Sequence, residues 1–135
     1  MASAGVRILI VDDDAALLKV MGTYLSRLGY LVDACHSAAE AWALVRDGRR
    51  PYALALVDLN MSGMRGGELT RLILDSNAST RVVVASGYPA GWYRADPLDG
   101  DRVSFLHKPF APKELADALQ SGGGNGPPNC EILEQ

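Results

Sequence analysis

Short apolar runs alternate along the chain with stretches in which apolar residues recur at helical spacing. Arg7-Ile8-Leu9-Ile10-Val11 stops abruptly at Asp12-Asp13-Asp14, the pattern of a buried strand whose carboxyl end meets solvent. Leu18, Met21, Leu25 and Leu28 follow at spacings of three and four, which predicts a helix with Asp13 or Asp14 as N-cap and Gly29 as its stop. Tyr30 to Cys35 reads as a second strand, and Ser37 with Glu40 as a capping box that opens a helix through Ala41, Leu44 and Val45 to Gly48. The apolar run Tyr52 to Val57 ends in another carboxylate, Asp58, ahead of a loop holding Gly63, Gly66 and Gly67. Leu69, Leu72 and Ile73 predict a helix over Glu68 to Asp75. Arg81 to Ala85 then reads as a strand ending at Ser86-Gly87, and Val103 to Leu106 as one ending at Lys108-Pro109. Pro112 at a first-turn position, with Leu115 and Leu119, marks a last helix.

Strands alternating with helices imply right-handed βαβ crossovers, hence an α/β fold: a doubly wound, five-stranded parallel sheet with helices on both faces. The segment from Tyr88 to Arg102, with Pro89, Gly91, Pro97 and Gly100, has no clean helical period. Residues 1–120 form the expected domain, and 121–135 read as a Gly/Pro-rich linker or tail. With 135 residues, 48% hydrophobic and 21% charged, the chain suits one globular domain. A net charge of −3 argues against gripping nucleic acid or an anionic membrane. No apolar stretch of signal-peptide length precedes Asp12, and no run approaches the ~20 apolar residues that span a bilayer. Cys35 and Cys130 are too few for a disulfide framework, so a cytoplasmic location with free thiols is expected.

In open α/β sheets the binding crevice lies beyond the carboxyl ends of the strands. Here those ends carry Asp12-Asp13, Asp58, Ser86 and Lys108. Three carboxylates within ~5 Å of one another would repel by ~3 kcal/mol per pair at an effective dielectric near 20. Either they take up protons, or a small hard cation sits among them with the Lys108 ammonium alongside. Mg²⁺ is the better account, because it needs only a few protein oxygens and leaves positions open for a phosphoryl group. Each piece alone has a plainer reading: an N-cap, a turn residue, a strand exit. Scattered caps and turns seldom yield acid pair, acid, hydroxyl and lysine in that order at successive strand ends.

Ile10-Val11-Asp12-Asp13, Asp58-Leu-Asn-Met61 with Gly66 eight residues after the acid, Ser86-Gly87 and Lys108-Pro109-Phe110 together resemble the receiver domain of two-component response regulators, over roughly Val6 to Leu119. The resemblance implies a flavodoxin-like fold and an Asp58 that accepts a phosphoryl group from the phosphohistidine of a histidine kinase or histidine phosphotransfer protein. It implies that Asp13 and Asp58 bind Mg²⁺ directly, Asp12 through water and Asn60 through its backbone carbonyl. Ser86 and Lys108 would contact the phosphoryl oxygens, and the chain would be a phosphoacceptor with at most slow self-phosphorylation and self-dephosphorylation rather than an enzyme. Ser86 and Phe105 stand where the family carries its switch residues, which report phosphorylation to a downstream protein target. Phe105 lacks the hydroxyl a tyrosine would offer there, and a plain core or edge aromatic is an equal reading.

Ser62 replaces a proline usual in the family, Tyr88 sits where the family tunes access of water to the acyl phosphate, and the Pro/Gly-rich stretch 89–100 falls in the family's fourth-helix region. The segments around Ser86 and Lys108 also resemble receivers attached to hybrid sensor kinases. Trp42 is expected to pack inside and Trp92-Tyr93 to form an exposed patch, while His36 and His107 have no partner at metal-ligand spacing. Two alternatives stand beside the receiver: a Mg²⁺-dependent phosphatase of the haloacid-dehalogenase type using Asp12 in Asp12-x-Asp14, and a receiver-like interaction module that is never phosphorylated. Size disfavours the phosphatase, and no G-x-G-x-x-G follows the first strand to suggest a dinucleotide site.

Overall fold

A computed structural model of the chain describes residues 5–49, 51–59, 66–77, 79–87 and 102–120. The expectations for Asn60, Met61, Ser62, Gly63, Tyr88, Trp92, Tyr93, Cys130, the stretch 89–100 and the tail 121–135 fall outside these residues. The elements are β1 (Arg7–Val11), α1 (Ala15–Arg27), β2 (Leu31–Cys35), α2 (Ala38–Asp47), β3 (Leu54–Asp58), α3 (Gly66–Ser76), β4 (Arg81–Ser86), β5 (Val103–His107) and α4 (Pro112–Gln120). The strands pair in parallel in the order β2-β1-β3-β4-β5. The order reverses at β1, the topological switch point at which such sheets place their sites.

Alternation along each strand divides the core in two. Leu9, Val11, Ala55, Val57, Val82, Val84 and Val103 face α2 and α3, where Ala38, Ala41, Leu69 and Ile73 cover them and Trp42 packs half-buried as expected. Ile8, Ile10, Leu54, Leu56, Val83 and Ala85 face α1 and α4, under Leu18, Met21, Leu25, Leu115 and Leu119. Because both faces are covered, the three central strands are apolar at nearly every position, which is why they stand out in the sequence.

The helix ends follow local chemistry. Asp14, not Asp13, is the N-cap of α1, its carboxylate accepting from the N–H groups of Ala16 and Leu17. Ser37 accepts from the Glu40 N–H, while Glu40 reaches the N–H of His36, one residue earlier than a strict capping box. Gly48 ends α2 with φ +77°, a left-handed conformation in which a side chain would be strained.

Two strands begin later than the apolar runs suggest. Tyr30 precedes β2 and is buried against α1's side of the core. Tyr52 precedes β3, and its hydroxyl donates to Asp33 Oδ2 at 2.6 Å, with Arg7 Nη1 3.6 Å from the same oxygen. At the other side of this sheet end, the Thr80 hydroxyl donates to the Tyr52 carbonyl at 2.7 Å. The Arg102 guanidinium donates to the carbonyls of Leu74, Asn77 and Thr80 at 2.8, 2.6 and 3.1 Å. Arg102 thus supplies the positive charge that α3 lacks in its own last turn and ties that helix to the start of β5. No helix among the described residues is long and apolar enough to cross a membrane.

Candidate functional site

Parallel register brings the strand ends level. Val11 is opposite both Cys35 and Val57, so Asp12, the residue after β1, lies level with Asp58 at the end of β3. Asp58 is opposite Ala85, and Ser86 is opposite His107. Three backbone bonds hold these ends together: Asp12 N–H to Cys35 O at 3.1 Å, Leu59 N–H to Ala85 O at 2.9 Å, and Lys108 N–H to Ser86 O at 2.7 Å. The Lys108-Pro109 peptide is cis.

The expected convergence of side chains is present for the acids and the lysine. Asp12, Asp13 and Asp58 each offer a carboxylate oxygen, and the three oxygens lie within 4.8 Å of one another. Lys108 Nζ stands 2.9 Å from Asp12 Oδ2 and 3.4 Å from Asp58 Oδ1. The side chains of Asp12 and Asp58 are only 3% and 4% exposed, whereas Asp13 is open to solvent. Burial alone would lower the Lys108 pKa, but the hydrogen bond and charge of Asp12, with the charge and hydrogen bond of Asp58, outweigh it and raise it above the usual lysine value.

Asp12 is held from two sides, since its Oδ1 accepts the Asp14 N–H at 2.9 Å while Oδ2 takes the lysine. That orienting N–H escapes a sequence reading because Asp14 already carries the plainer role of N-cap. Asp33, half-buried beside Tyr52 and Arg7, was signalled only by a carboxylate lying between Val32 and Ala34, and Arg102 had no local signal at all.

Donor chemistry favours a small, hard divalent cation at the triad. Three carboxylate oxygens of opposite sign, two from nearly buried side chains, outnumber the single lysine charge, and oxygen-only sets suit Mg²⁺. Ser86 is buried at the end of β4, on the same sheet face as Val84 and Phe105. Phe105 is half-buried against the α2–α3 side of the core. His107 is exposed, and His36 stands 3.6 Å from Glu40.

Cys35, the free thiol among the described residues, is buried beside this end of the sheet. Burial, reinforced by Glu40 and Asp33, pushes it up to about 12, and burial raises Tyr30 as well. For these two and Lys108 the folded chain holds its protons more tightly than the unfolded chain. Their contribution is complete below the unfolded values, about 8.5 for a thiol and about 10 for phenol and ammonium, and is lost as pH climbs toward the folded values. The urea midpoint is therefore expected to stay level from about pH 7 to 8.5 and to fall above about pH 9, less steeply in Cys35→Ala. A midpoint that rises with alkalinity would contradict these assignments.

Comparison with known proteins agrees with the geometry. The family model described as "Response regulator receiver domain" matches residues 8–120. The photosynthetic apparatus regulatory protein RegA of Cereibacter sphaeroides is 29% identical over 124 residues, covering 92% of this chain and 66% of that protein. The response regulator MprA of Mycobacterium ulcerans is 34% identical over 116 residues, covering 86% of this chain and 49% of that one. A crystal structure of a response regulator receiver protein from Sinorhizobium medicae aligns with a TM-score of 0.78 at 25% identity, covering 87% of this chain and 93% of the other. The chain spans between 31% and 66% of the length of such curated relatives. The phosphatase alternative finds no support, since the match is to another family. With the sheet order, the acid triad beside Lys108 and a match that runs from the first strand to the last helix, this chain belongs to the response regulator receiver domains of two-component systems.

Proposed function

We propose that this chain is a Mg²⁺-dependent phosphoacceptor in which Asp58 receives a phosphoryl group from the phosphohistidine of a histidine kinase or histidine phosphotransfer protein. The observation that carries this reading is the nearly buried Asp58, with two further carboxylates and one ammonium gathered around it. An Asp58 carboxylate oxygen attacks phosphorus, the P–N bond to the donor imidazole breaks, and the imidazole nitrogen keeps the bonding electrons and takes up a proton. The product is a mixed anhydride on Asp58.

Phosphoryl transfer asks the protein mainly for alignment and charge compensation. Lys108 supplies one positive charge and is poised to move from Asp12 toward the incoming oxygens, because Asp58 already shares it at 3.4 Å. Asp12, Asp13 and Asp58, with the Asn60 carbonyl, would hold the cation, which when bound offsets the negative charge of the phosphoryl oxygens. Asp12 is kept in place by the Asp14 N–H and by Lys108, and the Asp58 carboxylate shares that lysine at 3.4 Å, so both carboxylates have partners before any ligand arrives. The Ser86 hydroxyl serves as donor to a phosphoryl oxygen. Its movement opens room on the sheet face it shares with Phe105, and that ring carries the change outward to a protein target.

Incubation with acetyl phosphate followed by intact-mass measurement tests the proposal. With millimolar Mg²⁺ the chain is expected to gain the mass of one phosphoryl group, and with a chelator in its place none. Absence of any gain would favour the interaction module that is never phosphorylated, and an equal gain under chelation would remove the cation from the account.

A further inference from the structure

Ser104 sits in the middle of β5 with 1% of its surface exposed. Its hydroxyl has no hydrogen-bond partner, alone in this respect among the buried side-chain polar atoms of the described residues. Alternation turns it toward the face where Leu106 packs, on the side of the sheet covered by α1 and α4, and its register partner is the buried Val83. The neighbouring core on that side is apolar: Val83, Ala85, Leu115 and Leu119. A hydroxyl stripped of water and left unbonded raises the free energy of the arrangement that contains it, whereas an alanine would fill the same place without that cost.

The strand that carries this hydroxyl is joined to the acidic site at its far end. Lys108 follows β5 directly and is drawn to Asp12. Three residues separate it from α4: Pro109, Phe110, which is half-buried in the α1–α4 core, and Ala111, whose N–H donates to Glu114 at 2.7 Å and whose carbonyl accepts from Leu115. A displacement of Lys108 toward a phosphoryl group on Asp58 therefore pulls on the first turn of α4, the helix packed over Ser104's side of the sheet. β5 is an edge strand, held by β4 on one side only, so it can adjust without breaking a second ladder.

We propose that β5 and α4 form a two-position device in which the Ser104 hydroxyl lacks a partner in the phosphoryl-free arrangement and gains one when Asp58 is phosphorylated. The inference rests on the phosphoacceptor reading and adds to it a second source of bias, on the opposite face of the sheet from Ser86 and Phe105. A ligand shifts an equilibrium only through interactions that differ between the two states. Here the difference is one hydrogen bond, made in the phosphorylated arrangement and missing in the other.

The test is Ser104→Ala in the full chain, with beryllofluoride and Mg²⁺ standing in for the phosphoryl group. Without beryllofluoride the variant is expected to unfold at higher urea than wild type with an unchanged slope. By reciprocity it should bind beryllofluoride about tenfold more weakly in calorimetry, and its stability advantage should shrink when beryllofluoride saturates both proteins. Affinities equal within about twofold, or a lower urea midpoint in the free variant, would overturn the proposal. If wild type itself binds no beryllofluoride in Mg²⁺, the phosphoacceptor reading fails and this inference with it. If wild type binds and the variant binds equally, only the device is wrong.

Discussion

Asp58→Asn is expected to reduce phosphoryl incorporation from acetyl phosphate to background while leaving the fold intact. An amide lacks the anionic oxygen needed to attack phosphorus, and the neighbouring acids are not expected to take over: Asp12 is tied to Lys108 and the Asp14 N–H, and Asp13, though its carboxylate joins the triad, is exposed to solvent. The variant also removes one of three carboxylates whose oxygens lie within 4.8 Å of one another. At that spacing each pair repels by roughly 3 kcal/mol at an effective dielectric of 20. Loss of the charge should therefore leave the cation-free protein at least as stable as wild type, with Lys108 still held by Asp12. Intact mass reports the first expectation and urea unfolding the second. A mass gain equal to wild type would exclude Asp58 as acceptor, and a collapse of stability would mean that its role is structural.

Lys108→Met is expected to produce the largest change in stability at the site and a second loss of function. The ammonium stands 2.9 Å from an Asp12 that is 3% exposed and 3.4 Å from an Asp58 that is 4% exposed. Removing it leaves two nearly buried carboxylates facing each other without their cation. Breaking a buried pair from one side typically costs about 3–5 kcal/mol, and the lower end applies here because solvent reaches part of the lysine. Millimolar Mg²⁺ should recover most of this loss, since the divalent charge binds the folded triad better than the unfolded chain. The variant's urea midpoint should therefore depend on Mg²⁺ more strongly than that of wild type. Phosphoryl uptake should still fall by about a hundredfold even with the cation saturating, because the ion cannot also occupy the lysine's place beside the incoming oxygens. A cation-free midpoint equal to wild type would show that the ion pair carries no stability.

Much of this was legible in the sequence because buried parallel strands advertise themselves. Ile8-Leu9-Ile10-Val11 and Leu54-Ala55-Leu56-Val57 are apolar at consecutive positions because helices cover both faces. Each ends in aspartate at the point where the coverage stops, so the same pattern that marks the strand marks the site. Lys108 was legible for the same reason, at the exit of β5.

What stayed hidden depends on pairing between distant segments. The Tyr52 side chain belongs to an apolar run, yet its hydroxyl bonds to Asp33 and the strand begins only at Leu54. The three carbonyls that receive Arg102 come from the end of α3 and the turn before β4, and no periodicity in the sequence joins them to residue 102. Whether Asp13 or Asp14 capped α1 was also undecidable locally, because both are good caps. Tertiary placement decided it: Asp12 and Asp13 are drawn to the triad, and Asp14 remains to close the helix.

The proposed phosphoacceptor role falls to one carboxylate, Asp58, among three that share a pocket. Borohydride trapping tests this directly, because reduction of an aspartyl phosphate leaves homoserine at the modified position, which peptide sequencing by mass spectrometry then locates. After acetyl phosphate and Mg²⁺, the reduced residue is expected at position 58 and nowhere else. Reduction at position 12 or 13, or at 58 to the same extent without a divalent cation, would contradict it.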